Sequence, residues 1–347
     1  MMIEMMKELP MPTTGLTPTT LTTPPKVAIL EPIIPAFGNH AQQVQGAALS
    51  MVNTSASPID VDIVDFMAFM PAESGGYFAP DEKTQLADTV DELNNYIINT
   101  YTSGFTGAAT AITDLTEQGY DVINISSGYR ELWAIQDLQK LLSQKNSDNT
   151  WQYPLLRQTV LGDAWADTRT DTIAVQDYMA AILEGTTADE AAEAQFAQAV
   201  EAAYQNDVAV VTTTGNDRAV MSLFSSIDQE ARFNRYLQVS SHVIGVAAHT
   251  PTQEVAHYSS QVTENTQASI LTADGTVKGT QGTSFAAPRV AASLALLQAQ
   301  NPALNMTQRL DILNQTATDS PTIAYEDEGA GQLNLEAALE AAEVAQN

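Results

Sequence analysis

The chain has 347 residues and carries 14 Lys plus Arg against 42 Asp plus Glu, a formal net charge of -28, which argues against nucleic acid or an anionic membrane as partner. It has no Cys, which removes disulfide frameworks, thiolate metal sites and cysteine nucleophiles and leaves Ser, Thr or a carboxylate for covalent chemistry. The length suffices for a sizeable core, and no segment approaches the roughly 20 apolar residues that span a bilayer. The acidic residues are spread through stretches such as Asp189 to Glu201 and Glu326 to Glu340, which reads as a solvated surface.

Residues 1–25 interleave Thr with Pro10, Pro12, Pro18, Pro24 and Pro25 and keep no apolar period, so they are expected to form a tail of little order ahead of one large domain, 26–347. No apolar h-region follows Met1 to Lys7, so no secretory signal is visible and localisation stays open. Val27 to Leu30 is a continuous apolar run, expected as a strand buried on both faces of a parallel sheet. It ends at Glu31 and Pro32, and in α/β sheets the functional crevice lies outside such carboxyl ends. Asn39, a residue type suited to an N-cap, then places His40 in the first turn of a helix to about Val52. The run Ile59 to Val64 alternates apolar and acidic residues and is expected as a strand with one solvated face. Helical patterns follow over Leu86 to Ile98 and Ala108 to Leu115, after a loop marked by glycines and Pro80.

A second continuous apolar run, Val122 to Ile125, ends in Ser126, Ser127 and Gly128. Helical material over Leu132 to Leu142 and Thr172 to Leu183, around a loop with Trp151, Pro154 and Trp165, fills 130–187; Leu132, Ile135, Leu138 and Leu142 lie at amphipathic spacing. A helix over Ala191 to Gln205 leads to a third buried strand, Val208 to Thr214, which ends in Gly215 and Asn216. Val243 to Ala248 is a further strand. His242, His249 and His257 are too scattered to suggest a metal site. Thr272, Ala273, Asp274 and Gly275 read as a turn. Gly282 to Pro288 then opens a helix whose alanines fit a crowded interior, with Ser284 at its start. Helices over Asn305 to Thr316 and after Asn334 close the chain. At least five strands alternate with helices, the pattern of a doubly wound, mostly parallel α/β sheet with helices on both faces.

The motif Gly282, Thr283, Ser284, Phe285, Ala286, Ala287, Pro288 resembles the active-site serine segment of the subtilisin-like serine proteases. The segment from Gly38 to Gly46 is similar to their histidine segment at His40, Val44 and Gly46, but not at Ala41, Gln42 and Gln43. Thr214, Gly215 and Asn216 resemble the segment that supplies an oxyanion donor, and Ser126, Ser127 and Gly128 the edge that binds the substrate backbone. The resemblance runs from Val27 to about Ala338 and implies a subtilisin-like fold and a serine endopeptidase. It implies Ser284 as nucleophile, His40 as base, and Asn216 as oxyanion donor, with Ser126, Ser127, Gly128, Thr214 and Gly215 along the substrate. The position of the family's catalytic Asp holds Glu31, one methylene longer, with Asp62 and Asp65 as lesser candidates for the acid. The 130–187 segment is longer than the family usually has there, and residues 1–25 are too short for its inhibitory pro-domain.

The resemblance also implies a peptide or protein substrate, a monomer, and a secreted or periplasmic setting. No cofactor is required for this chemistry; structural calcium is common in the family, but no run here matches a calcium loop, so no metal ligands are assigned. An esterase would use the same machinery on another substrate. A subtilase fold that only binds peptides or partners is the alternative, favoured by Glu31 and the altered residues after His40 and opposed by retention of Ser284, His40 and Asn216.

Overall fold

The computed structural model describes residues 23–33, 38–52, 58–71, 89–127, 138–162, 187–216, 234–252, 254–260, 268–319 and 328–345, with a few shorter pieces between them. The first apolar run forms β1 (Lys26–Glu31), and the helix expected after it is α1 (His40–Val52). The alternating run is β2 (Asp60–Asp65). Then come α2 (Val90–Glu117), β3 (Val122–Ile125), α3 (Pro154–Leu161), α4 (Ala188–Gln205) and β4 (Ala209–Thr213). A short helix α5 (Tyr236–Val239) precedes β5 (Val243–His249), β6 (Ser269–Asp274) and the hairpin β7 (Thr276–Val277) and β8 (Thr280–Gln281). The chain closes with α6 (Thr283–Gln300), α7 (Met306–Thr316) and α8 (Leu335–Val344).

The sheet has six strands in the order β2-β1-β3-β4-β5-β6, and every neighbouring pair is parallel. Alternate residues of each strand feed opposite cores, as the two-residue period of a strand requires. Ala28, Leu30, Ile123, Ile125 and Val210 join α2, α3 and α4 on one face. Val27, Ile29, Val122, Val211 and Val246 join α1, α6, α7 and α8 on the other. The expected doubly wound architecture is therefore present. Its order reverses at β1, which sends the chain first outward to β2 and then across to β3. The crevice of such a sheet opens at this reversal, outside the strand ends, and Glu31 and Ser126 flank it.

Two local expectations are corrected. The helical patterns over Leu86 to Ile98, as far as its described part from Val90, and Ala108 to Leu115 belong to one 28-residue helix, whose middle is rich in Thr, Ser and Gly. Thr102, Thr110 and Thr113 return their hydroxyls to carbonyls four residues back at 2.9 Å, within the helix's own hydrogen bonding. Gly104 and Gly107 let neighbours close in: the Gly104 carbonyl accepts the Tyr236 hydroxyl at 2.9 Å, and a Cβ on Gly107 would stand 2.7 Å from the Met70 sulfur. Thr272 to Asp274, read as part of a turn, is the end of β6. It is hidden from a pattern search because its one Thr faces inward, with the Thr272 hydroxyl donated to the Gly331 carbonyl at 3.0 Å. The turn is confined to Gly275 and the hairpin beyond it.

Nearly all of the expected tail, residues 1–25, lies outside the described residues, as do Leu132, Ile135 and Trp165 in the 130–187 segment. Leu138 and Leu142 are buried against the α2 side of the sheet. No helix among the described residues is long and apolar enough to cross a membrane.

Candidate active site

Glu31 is the last residue of β1 and is 2% exposed. His40 opens α1 after Gly38, whose φ of +55° suits glycine in the turn. Their side chains meet at 3.1 Å, Glu31 Oε2 to His40 Nδ1, and the other ring nitrogen of His40 lies 3.0 Å from Ser284 Oγ. A carboxylate, an imidazole and a hydroxyl thus stand in series across a span of 244 residues from base to hydroxyl. The imidazole packs against the Phe285 ring, centroids 5.4 Å apart, which limits its motion without adding a competing polar group. Its partner carboxylate is almost dry, whereas His40 itself is 26% exposed and borders the opening.

Ser284 is the second residue of α6, a helix buried over most of its length. Gly282 precedes it in extended backbone, φ 170°. Any residue adopts that conformation, so no left-handed turn requires glycine here. What Gly282 supplies is space: a Cβ at this position would lie 3.1 Å from Ser284 Oγ and 3.5 Å from Asn216 Nδ2. The hydroxyl and the Asn216 amide face one another across that gap.

Asn216 follows β4 through Gly215, whose φ of +109° is in the range that favours glycine. The Asn216 carbonyl oxygen accepts from the Thr283 N–H at 2.8 Å and from its hydroxyl at 2.9 Å, so the amide NH2 is turned toward Gly282 and Ser284. Thr283 is one residue whose part the sequence does not signal. It was visible between Gly282 and Ser284, but only the fold shows that both its donors converge on Asn216.

The remaining expected site residues are placed as follows. Ser126 is 3% exposed, and its hydroxyl points inward, donating to the Ser284 carbonyl at 3.0 Å and accepting from Asn124 Nδ2 at 2.6 Å. Ser127 follows it at the crevice. Gly128 lies outside the described residues. Thr214 is fully buried, with its N–H on the Val246 carbonyl, and the Gly215 carbonyl accepts from the Ser260 N–H, both at 3.0 Å. The lesser acid candidates are engaged elsewhere: Asp62 accepts the Tyr120 hydroxyl at 3.0 Å, and Asp65 accepts the Met67 N–H at 3.0 Å and the Ile33 N–H at 3.1 Å.

Under the floor of the site, buried Asn234 donates to the Thr212 hydroxyl at 2.7 Å and to the Thr213 carbonyl at 2.8 Å, and Thr212 donates on to the Ile125 carbonyl at 2.8 Å. This ties the ends of β3 and β4 together. Arg289 donates to Ser50 and to the Thr276 carbonyl, each at 2.9 Å, fixing the β7–β8 hairpin beside α1 and α6. No group of three or more His, Asp or Glu among the described residues is placed to hold a metal ion. His242 instead pairs with Glu201 at 2.8 Å and stacks on Tyr204.

The arrangement can support nucleophilic acyl transfer: a hydroxyl beside an imidazole, the imidazole beside a carboxylate, and an amide NH2 on the hydroxyl's side of Gly282. The subtilase family model matches residues 96–332, about two thirds of the chain, and the chain belongs to that family. It is a subtilisin-like serine protease. Among curated proteins it is 27% identical to subtilisin DY of Bacillus licheniformis over 323 residues, 89% of this chain and 97% of that one. Solved structures similar to it include a lanthipeptide protease, at 16% identity and TM-score 0.47, covering 91% of this chain and 87% of the other. Another is an epidermin leader peptide processing serine protease from Staphylococcus aureus, at 14% identity and TM-score 0.48, covering 91% and 75%. The family model begins after Glu31 and His40, so the placement of those two residues rests on their own geometry.

Proposed function

We propose that the protein hydrolyses peptide bonds with Ser284 as nucleophile, His40 as general base and then acid, and Glu31 as the acid that orients His40. Ser284 Oγ attacks the carbonyl carbon as its proton passes to His40. Glu31 holds the other ring nitrogen and stabilises the imidazolium as it forms. The oxyanion is held by Asn216 Nδ2 and the Ser284 N–H, donors fixed before the charge develops. Collapse of the tetrahedral intermediate passes the proton from His40 to the leaving amine and leaves an acyl group on Ser284. Water, deprotonated by the same imidazole, then releases the acid. A substrate strand would lie along the backbone beyond β3, at Ser126, Ser127 and Gly128, by adding to an exposed edge. Thr214 and Gly215 contribute by carrying Asn216.

The observation that carries this reading is the double contact of His40, 3.1 Å to Glu31 and 3.0 Å to Ser284. It supports a working role for Glu in place of Asp: the added methylene, about 1.5 Å of reach, goes with a short βα connection that keeps the contact. A fluorophosphonate probe, read by intact mass, tests it. Stoichiometric labelling that disappears in Ser284→Ala and His40→Ala is expected; a well-folded wild-type chain that does not label would point to a fold that binds peptides without cleaving them.

A further inference from the structure

Pro288 sits inside α6, where its ring nitrogen has no hydrogen to give the carbonyl four residues earlier. That carbonyl belongs to Ser284. A buried carbonyl without a donor is costly, and the donor it receives comes from the residue just past β3: Ser126 Oγ, at 3.0 Å. Ser126 has one hydroxyl proton. Asn124 Nδ2, donating to the same oxygen at 2.6 Å, occupies a lone pair and leaves that proton for Ser284. Asn124 is fully buried and Ser126 is 3% exposed, so water does not compete for either bond.

Resting on the assignment of Ser284 as nucleophile, we infer that Ser126 is a positioning residue for it, aimed by Asn124 and made necessary by Pro288. The Ser284 carbonyl shares its Cα with the attacking hydroxyl and the oxyanion-binding N–H. Fixing the carbonyl fixes the direction of both. Where productive geometry tolerates only about 0.5 Å of error, one such anchor at the first turn of a helix is a large share of the constraint. Ser126 serves the substrate edge through its backbone, while its side chain serves the nucleophile from behind.

Replacing Pro288 gives the test its specificity. Pro288→Ala restores a backbone N–H at the position from which a helix would supply the Ser284 carbonyl. The inactivation rate and apparent affinity for a fluorophosphonate, a reagent too small to use the extended substrate edge, are measured for wild type, Ser126→Ala, Pro288→Ala and the double variant. Rates are expressed per titrated site, with thermal unfolding in parallel. Ser126→Ala is expected to slow inactivation about tenfold, the scale of one neutral hydrogen bond, with affinity unchanged. In the Pro288→Ala background the same substitution should cost less than about threefold. Asn124→Ala, which keeps the hydroxyl but not what aims it, should lose rate in the same direction and be rescued the same way. Equal losses in both backgrounds, a loss in affinity alone, or no loss per titrated site would overturn the inference. A wild-type chain that labels at Ser284 separates these results from failure of the nucleophile assignment, which would take the inference with it.

Discussion

Thr283 donates twice to one atom of Asn216, from its N–H at 2.8 Å and from its hydroxyl at 2.9 Å. The pair sets which end of the Asn216 amide faces the nucleophile. Asn216→Leu is therefore expected to lower kcat by about 10²–10³ with little change in KM. Thr283→Val keeps the shape and one of the two donors, and is expected to lower kcat by about three- to tenfold. Steady-state kinetics on a peptide substrate, normalised to titrated sites, checks both, and equal losses would mean that the hydroxyl does more than orient the amide.

Glu31 Oε2 meets His40 Nδ1 at 3.1 Å. Glu31→Asp withdraws the carboxylate by about 1.5 Å and is expected to lower kcat about 10²-fold, the cost of a misplacement of this size. Glu31→Ala should lose at least as much. Near-normal turnover in the alanine variant would assign the acid to another residue, and Asp62 would first have to release Tyr120.

Gly282→Ala separates activity from stability. The backbone there is extended and accepts alanine, so the thermal midpoint should hold, whereas the new methyl enters the gap between Ser284 Oγ and Asn216 Nδ2, 3.1 and 3.5 Å away. A kcat loss of about 10–10² with an unchanged unfolding curve is expected. Unfolding at lower temperature would show that the glycine is needed for packing instead.

Alkaline titration reads the tyrosines around the hairpin and sheet edge. Burial, before any other cause, pushes Tyr258 up to about 12; burial, then the bond to Asp62, pushes Tyr120 up to about 12, both from 10.0. Tyr236 is raised by burial as well. Between about pH 10 and 12 the unfolded chain has lost protons that the folded chain retains, so stability falls as pH rises through that window and is level below it for these groups. Tyrosinate absorbance at equilibrium should show Tyr258 and Tyr120 ionising above free tyrosine, and Tyr258→Phe should remove amplitude there. Ionisation of both near pH 10 in the folded protein would contradict this.

The sheet was legible where burial on both faces wrote itself as continuous apolar runs, at β1, β3, β4 and β5. It was illegible at β6, where Thr272 is buried because its hydroxyl has the Gly331 carbonyl. The long helix α2 was split in two by the same kind of residue, since Thr and Gly read as breakers unless their partners are known. The placement of Glu31, His40, Asn216 and Ser284 near one another was readable because each stands where a buried element begins or ends. The parts of Thr283, Ser126 and Asn124 were not, because each depends on hydrogen bonds between residues far apart in sequence. Ser126 was singled out for the substrate edge, and nothing in its neighbourhood signalled that a proline far down the chain had left a carbonyl for its side chain.

His40 and Ser284 are separated by 244 residues, and the strands β2 to β6 are laid down between them. At chain growth of about 5–20 residues per second, the imidazole and the hydroxyl emerge on the order of 10–50 seconds apart. Throughout that interval a nascent chain has half of the proposed centre on an unfinished sheet. The hydroxyl arrives on α6, the helix buried in the core between the sheet and the closing helices α7 and α8. If Ser284 and His40 act as proposed, a growing chain has no complete site of its own until α6 is in place, and global unfolding separates the two groups in one step.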